Sequence, residues 1–97
     1  MKFTHDVIVI GGGAAGLTAA GGCALFGLDV ALIEARKMGG ECLNDGCVPS
    51  KALIAAAARA GEARVPTRHG VTLAEPAVEW GGVHKHIHDA IAAIAHH

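Results

Sequence analysis

Two cysteines five positions apart, Cys42 and Cys47, stand in the stretch Gly39-Gly40-Glu41-Cys42-Leu43-Asn44-Asp45-Gly46-Cys47-Val48-Pro49-Ser50-Lys51. A disulfide between them would close a very small ring. It would remove only about 2 kcal/mol of unfolded-chain entropy, which makes it a weak structural staple. The spacing suits a bond that opens and closes. Cys47 lies at the start of an expected helix, where the dipole and the unpaired N–H groups favour thiolate over thiol. Lys51, four residues on, adds positive charge one turn along the same face. The competing readings are an inert reduced pair and half of a zinc site. Zinc needs two further ligands, and no second cysteine pair or suitably spaced Cys/His set is present.

A second group of residues could hold an anion. Gly11-x-Gly13-x-x-Gly16 follows an apolar run and opens a helical one. Gly11 permits a tight turn, Gly13 lets a pyrophosphate approach the backbone, and Gly16 allows helix and strand to pack closely. The helix N-terminus then presents free N–H groups and a positive dipole end to phosphate. Glu34 ends the next apolar run, 18 residues after Gly16. A carboxylate there can accept hydrogen bonds from ribose hydroxyls. Glycines that merely make a turn, with a solvated Glu34, do not account for these features occurring together.

The elements that must position these groups are legible in outline. Residues 5–10 read as a short buried strand and residues 14–26 as a helix, which Gly27 can end in a left-handed conformation. Residues 29–33 read as a second strand. Together these form a βαβ unit with a parallel pair and a right-handed crossover. Residues 36–46 read as a polar loop and residues 48–60 as a helix. Pro49 sits in its first turn, and Gly61 and Pro66 mark its end. Residues 70–74 read as a short strand or extended connection. The last helix, about 79–95, carries Trp80, Val83, Ile87, Ile91 and Ile94 on one stripe, with Trp80 as a core anchor. The expected fold class is α/β: a partial, truncated Rossmann-like domain comprising the βαβ unit and following helices. Two strands are too few for a complete doubly wound sheet.

Composition narrows the classes. The chain has 97 residues and a net charge of −1, with no basic footprint for nucleic acid. Its hydrophobic fraction is 52%, but aromatics are only 3%, so alanine and glycine supply much of the apolar count and the core is expected to be thin. Residues 7–28 lack charge yet hold seven glycines, which argues against a spanning helix. Asp6 and the same glycines argue against a secretion signal. A cytoplasmic location without membrane partners is the expectation. Cys23 reads as a small buried hydrophobe. His84 and His88, one turn apart, could share a metal, but no third ligand is evident and the plain solvated-face reading is preferred.

The blocks VIVIGGGAAGL (7–17) and GGECLNDGCVPSK (39–51) resemble the class I pyridine nucleotide–disulfide oxidoreductases, and Ser50-Lys51 is closest to the lipoamide and mercuric reductase branches. The resemblance implies that the first nucleotide fold binds FAD. Gly11, Gly13, Ala14, Ala15 and Gly16 would meet the pyrophosphate and Glu34 the adenosine ribose. Gly40, Glu41, Cys47 and Lys51 would complete the cofactor contacts. It also implies catalytic roles: Cys42 as the interchange thiol, Cys47 beside the flavin, and Lys51 near its reactive nitrogen. Electrons would pass from NAD(P)H through FAD to the disulfide, then to a disulfide or metal-ion substrate. Later NAD(P)-binding and dimerisation domains and a homodimeric parent are implied as well. The 97 residues alone are expected to be inactive, and the alternative function is a non-catalytic fragment binding at most part of FAD. Glu41 and Asp45 depart from the family's usual neutral residues and oppose thiolate formation.

Overall fold

The computed structural model describes residues 2–96 and divides into two compact units that meet between Gly46 and Cys47. The first unit contains β1 (Val7–Ile10), α1 (Ala14–Leu25), β2 (Val30–Ile33) and a short α2 (Gly40–Asn44). The strands pair in parallel with Val7 opposite Val30 and Ile10 opposite Ile33. This is the expected α/β arrangement of two parallel strands and helices. β1 starts at Val7 rather than His5. Asp6 is occupied in a local clasp with Asp29: its carboxylate accepts the Asp29 N–H at 2.8 Å, and its own N–H donates to the Asp29 carbonyl at 2.9 Å.

Strand alternation divides the pair into two faces. Val7, Val9, Val30 and Leu32 are half-buried on the side of α1, whose Gly16 lies against Val9. Ile8 and Ile10 occupy the other face, and Ile10 is 85% exposed. The reading of residues 5–10 as a buried strand is thus corrected: only one face is covered. α1 ends as its sequence indicates. Gly27 adopts φ +81°, its N–H donates to the Ala24 carbonyl, and the Leu28 N–H donates to Cys23. These two bonds make a Schellman cap. Cys23 is half-buried rather than buried.

The second unit holds α3 (Cys47–Ala63) and α4 (Trp80–Ala95), which pack on each other. α3 runs past the expected end, with Gly61 inside it. The run of alanines keeps helical propensity high, and the helix unwinds through three-residue bonds from Arg64 and Val65 just before Pro66. Residues 68–71 form a tight reversal. Arg68 and Val71 exchange backbone hydrogen bonds around His69 and Gly70, both with positive φ. On α4, Val83, Ile87 and Ile91 are half-buried, but Trp80 is 61% exposed and Ile94 52%. Trp80 is therefore not a core anchor; the stripe packs only through its middle, where α3 offers small alanines. Among the described residues, no helix is long and apolar enough to cross a membrane.

Candidate functional site

The glycine turn is shaped by backbone contacts. Gly11 has φ +108°, and its N–H donates to the Ile33 carbonyl at 2.8 Å, carrying the strand pairing into the turn. A Cβ on Gly16 would sit 1.7 Å from the Gly11 carbonyl oxygen, so only glycine permits this approach of helix to strand end. Gly13 is the N-cap of α1, no side chain caps the helix there, and its first turn holds no acidic residue. Helix geometry leaves the amides of Ala14, Ala15 and Gly16 without partners inside α1. A Cβ on Gly13 would find only the Gly40 Cα, at 3.9 Å, so the approach to the helix end is open. This donor set, uncapped and free of acidic side chains in its first turn, fits a diphosphate.

Glu34 closes the turn from the side. Its Oε2 accepts the Gly12 N–H at 2.5 Å and its Oε1 accepts the Arg36 N–H at 3.2 Å. The Gly12 amide, and after it the Arg36 amide, holds the carboxyl below its ordinary value of 4.5, against a smaller opposing effect of desolvation. Each carboxylate oxygen has a second acceptor position, so this pairing leaves capacity for a hydroxyl donor.

The segment expected as a polar loop over 36–46 contains a helical turn, α2, for reasons in its own residues. Gly39 (φ +106°) and Gly40 (φ +67°) redirect the chain. The Gly39 N–H donates to the Gly12 carbonyl at 2.7 Å, which ties the segment to the glycine turn. A Cβ on Gly40 would come within 2.8 Å of the Gly13 Cα. Leu43 is buried, and the Asn44 Nδ2 donates back to the Gly40 carbonyl at 2.8 Å. Gly12, Gly39 and Asn44 therefore belong to the site alongside the residues expected from the sequence. The Gly-Gly pair before a cysteine was the available signal, because two adjacent positive φ values require glycine. Glu34, Arg36, Lys37, Glu41 and Asp45 line an open cleft of about 610 Å³ at the carboxyl end of β2. Ligands of open α/β sheets bind at that end of the strands.

Cys42, in α2, and Cys47, the first residue of α3, are both exposed and are joined in a disulfide. Pro49 lies in the first turn of α3, where its missing N–H costs no helical bond. Lys51 is exposed one turn further along. Cys23 is a free thiol. Among the described residues, no three His, Cys, Asp or Glu side chains cluster as a metal site. The second unit has a larger cleft of about 1040 Å³, lined mainly by apolar residues of α3 and α4, Trp80 and Val83 among them, and it contains none of the glycine-turn, Glu34 or cysteine residues.

Comparison with known proteins agrees with the motif reading. The family described as pyridine nucleotide-disulphide oxidoreductase matches residues 5–95. Dihydrolipoyl dehydrogenase of Vibrio cholerae is 49% identical over 72 residues, covering 73% of this chain and 15% of that protein. Dihydrolipoyl dehydrogenase 2 of Haloarcula marismortui is 49% identical over 78 residues, or 80% of this chain and 16% of the relative. The Bacillus subtilis dihydrolipoyl dehydrogenase is 43% identical over 74 residues. The chain thus aligns with about a sixth of the length of these relatives.

Proposed function

The chain belongs to the pyridine nucleotide-disulphide oxidoreductase family, and from that premise we propose that it is the FAD-binding and redox-disulfide segment of an NAD(P)H-dependent flavoprotein disulfide oxidoreductase. The observation that carries this reading is the exposed Cys42–Cys47 disulfide, set directly after a glycine cradle too tight for side chains at Gly16 and Gly40. When bound, FAD supplies the two-electron relay between a nicotinamide and the disulfide.

The chain's own residues have separable roles in this proposal. The amides of Gly13, Ala14, Ala15 and Gly16 receive the pyrophosphate, with Gly11 shaping the turn. Glu34 orients a ribose hydroxyl, and Gly40, Glu41 and Lys51 add cofactor contacts. Two electrons and one proton convert the disulfide to a thiol at Cys42 and a thiolate at Cys47. Cys42 is then the interchange nucleophile toward a disulfide or metal-ion substrate. Cys47 is held as thiolate by the N-terminus of α3 with help from Lys51. Glu41 and Asp45, both exposed, act against thiolate formation and favour a cationic or neutral substrate over an anionic one. Turnover, a homodimeric assembly and a cytoplasmic setting are assigned to the whole protein. The 97 residues by themselves are expected not to oxidise NAD(P)H.

Thiol titration tests the proposal. Air-oxidised protein should show one reactive thiol, Cys23, and mild reduction should raise the count to three. Cys42→Ser should abolish the reducible pair. Three free thiols before reduction would refute the redox assignment. Undiminished flavin content in a Gly13→Leu variant of the whole protein would refute the cradle.

A further inference from the structure

His84 and His88 lie one turn apart on α4, both exposed, with their Nε2 atoms 3.2 Å from each other and ring centroids 4.4 Å apart. Neither the family assignment nor the proposed redox chemistry uses them. We propose that this pair is a surface chelate for a divalent transition cation of borderline softness, with zinc or copper(II) as the fitting class.

The geometry carries the proposal. A zinc–imidazole bond is about 2.0–2.1 Å, so two nitrogens on a tetrahedral ion stand about 3.3–3.4 Å apart. The observed separation nearly equals that bite before any ion arrives. Both donors stand on the same helical face one turn apart, so the pair can close on an ion without any change of backbone. The neighbours leave the pair available. Trp80 approaches only His84, with centroids 6.5 Å apart, and Asp89 is engaged by Lys85 at 2.5 Å. His86 is directed away and lines the α3–α4 cleft. The same 3.2 Å contact can hold a shared N–H···N bond; an ion replaces it once the donor ring gives up its Nε2 proton to solvent and takes one up at Nδ1, so that both Nε2 lone pairs face the ion and the net proton count is unchanged. The cation exchanges two of its waters for the two imidazoles and keeps water in its remaining positions. No electron is transferred.

The test is calorimetric titration of the full chain with zinc chloride, with the ring C–H proton resonances of the histidines followed in parallel. One ion per chain should bind, shifting the resonances of His84 and His88. Losing an outer-shell partner already costs about 10–100-fold in metal affinity, so His84→Ala and His88→Ala should each weaken binding by at least about tenfold. His86→Ala, His96→Ala and Cys23→Ser should leave it unchanged. Alanine is the best helix former, so these exposed substitutions preserve α4, and far-UV circular dichroism verifies that. Zinc should also raise the denaturation midpoint of the parent chain but not of the His84 or His88 variants. Undiminished affinity in either of those variants, or binding lost instead with Cys23→Ser or His96→Ala, would overturn the chelate.

Discussion

A methyl group added at Gly16, in the first unit, would overlap the Gly11 carbonyl oxygen at 1.7 Å; one added at Gly61, in the second, would meet nothing within 4 Å. The contrast extends through both units. In the first, positions distant in sequence are joined backbone to backbone: Gly11 to Ile33, Gly39 to Gly12, Asp6 to Asp29. In the second, two helices lean on each other through alanine and a few branched residues, and among its described residues Ala52 is the buried hydrophobe. The residues proposed to meet a diphosphate lie in the unit whose shape is set by main-chain contact. That arrangement suits a ligand read by amide groups, because main-chain donors keep their places when side chains rotate. The helical unit supplies the N-terminus on which Cys47 sits and is otherwise tolerant.

The largest effect should come from Gly16→Val. The clash is with a carbonyl rather than a flexible side chain, so the cost should exceed the roughly 1–3 kcal/mol of ordinary overpacking. Hydrogen exchange should show amide protection lost across β1 and α1 while α3 and α4 keep theirs. Equal loss in both units would break the comparison.

Gly40→Ala should come next. It combines φ +67° with a 2.8 Å approach to the Gly13 Cα, whereas Gly27→Ala meets only its φ of +81°. Left-handed backbone costs about 1–2 kcal/mol for a residue with a Cβ. The difference in denaturation free energy between the two variants therefore measures the close approach. Indistinguishable variants would mean that the α2 segment is not held against the glycine turn.

Glu34 provides a pH test. Its folded value lies below its ordinary one, so its stabilising contribution is present above pH 4.5 and is lost as pH falls through the lowered folded value. Glu34→Gln should flatten that acid limb and loosen the Gly12 amide, read by exchange at Gly12. An acid limb of the same shape in the variant would place the titration elsewhere. The smallest effect, opposite in sign, belongs to Gly61→Ala. It should stabilise α3 by about 0.5–1 kcal/mol, because the site is helical and open.

Local features of this chain were legible from residue order. The glycine turn, the Schellman end of α1 at Gly27 and the helix opening at Cys47 each depend on φ preferences and caps within a few residues, and the parallel βαβ unit on the order of strand, glycine turn, helix and strand. The cysteine spacing likewise announced a disulfide that the structure contains. Burial was less legible. Ile10 and Trp80 carry the pattern of core residues yet are largely exposed, because exposure is decided by what packs from elsewhere. Residues 36–46 read as loop because their polarity hides Leu43, whose burial, with the Gly39–Gly12 bond, turns five residues into α2. Tertiary structure alone brought Glu34 to the Gly12 amide, 22 residues away. A carboxylate's position in the chain shows that it can accept a hydrogen bond; only the meeting of β2 with the turn after β1 decides which one it accepts.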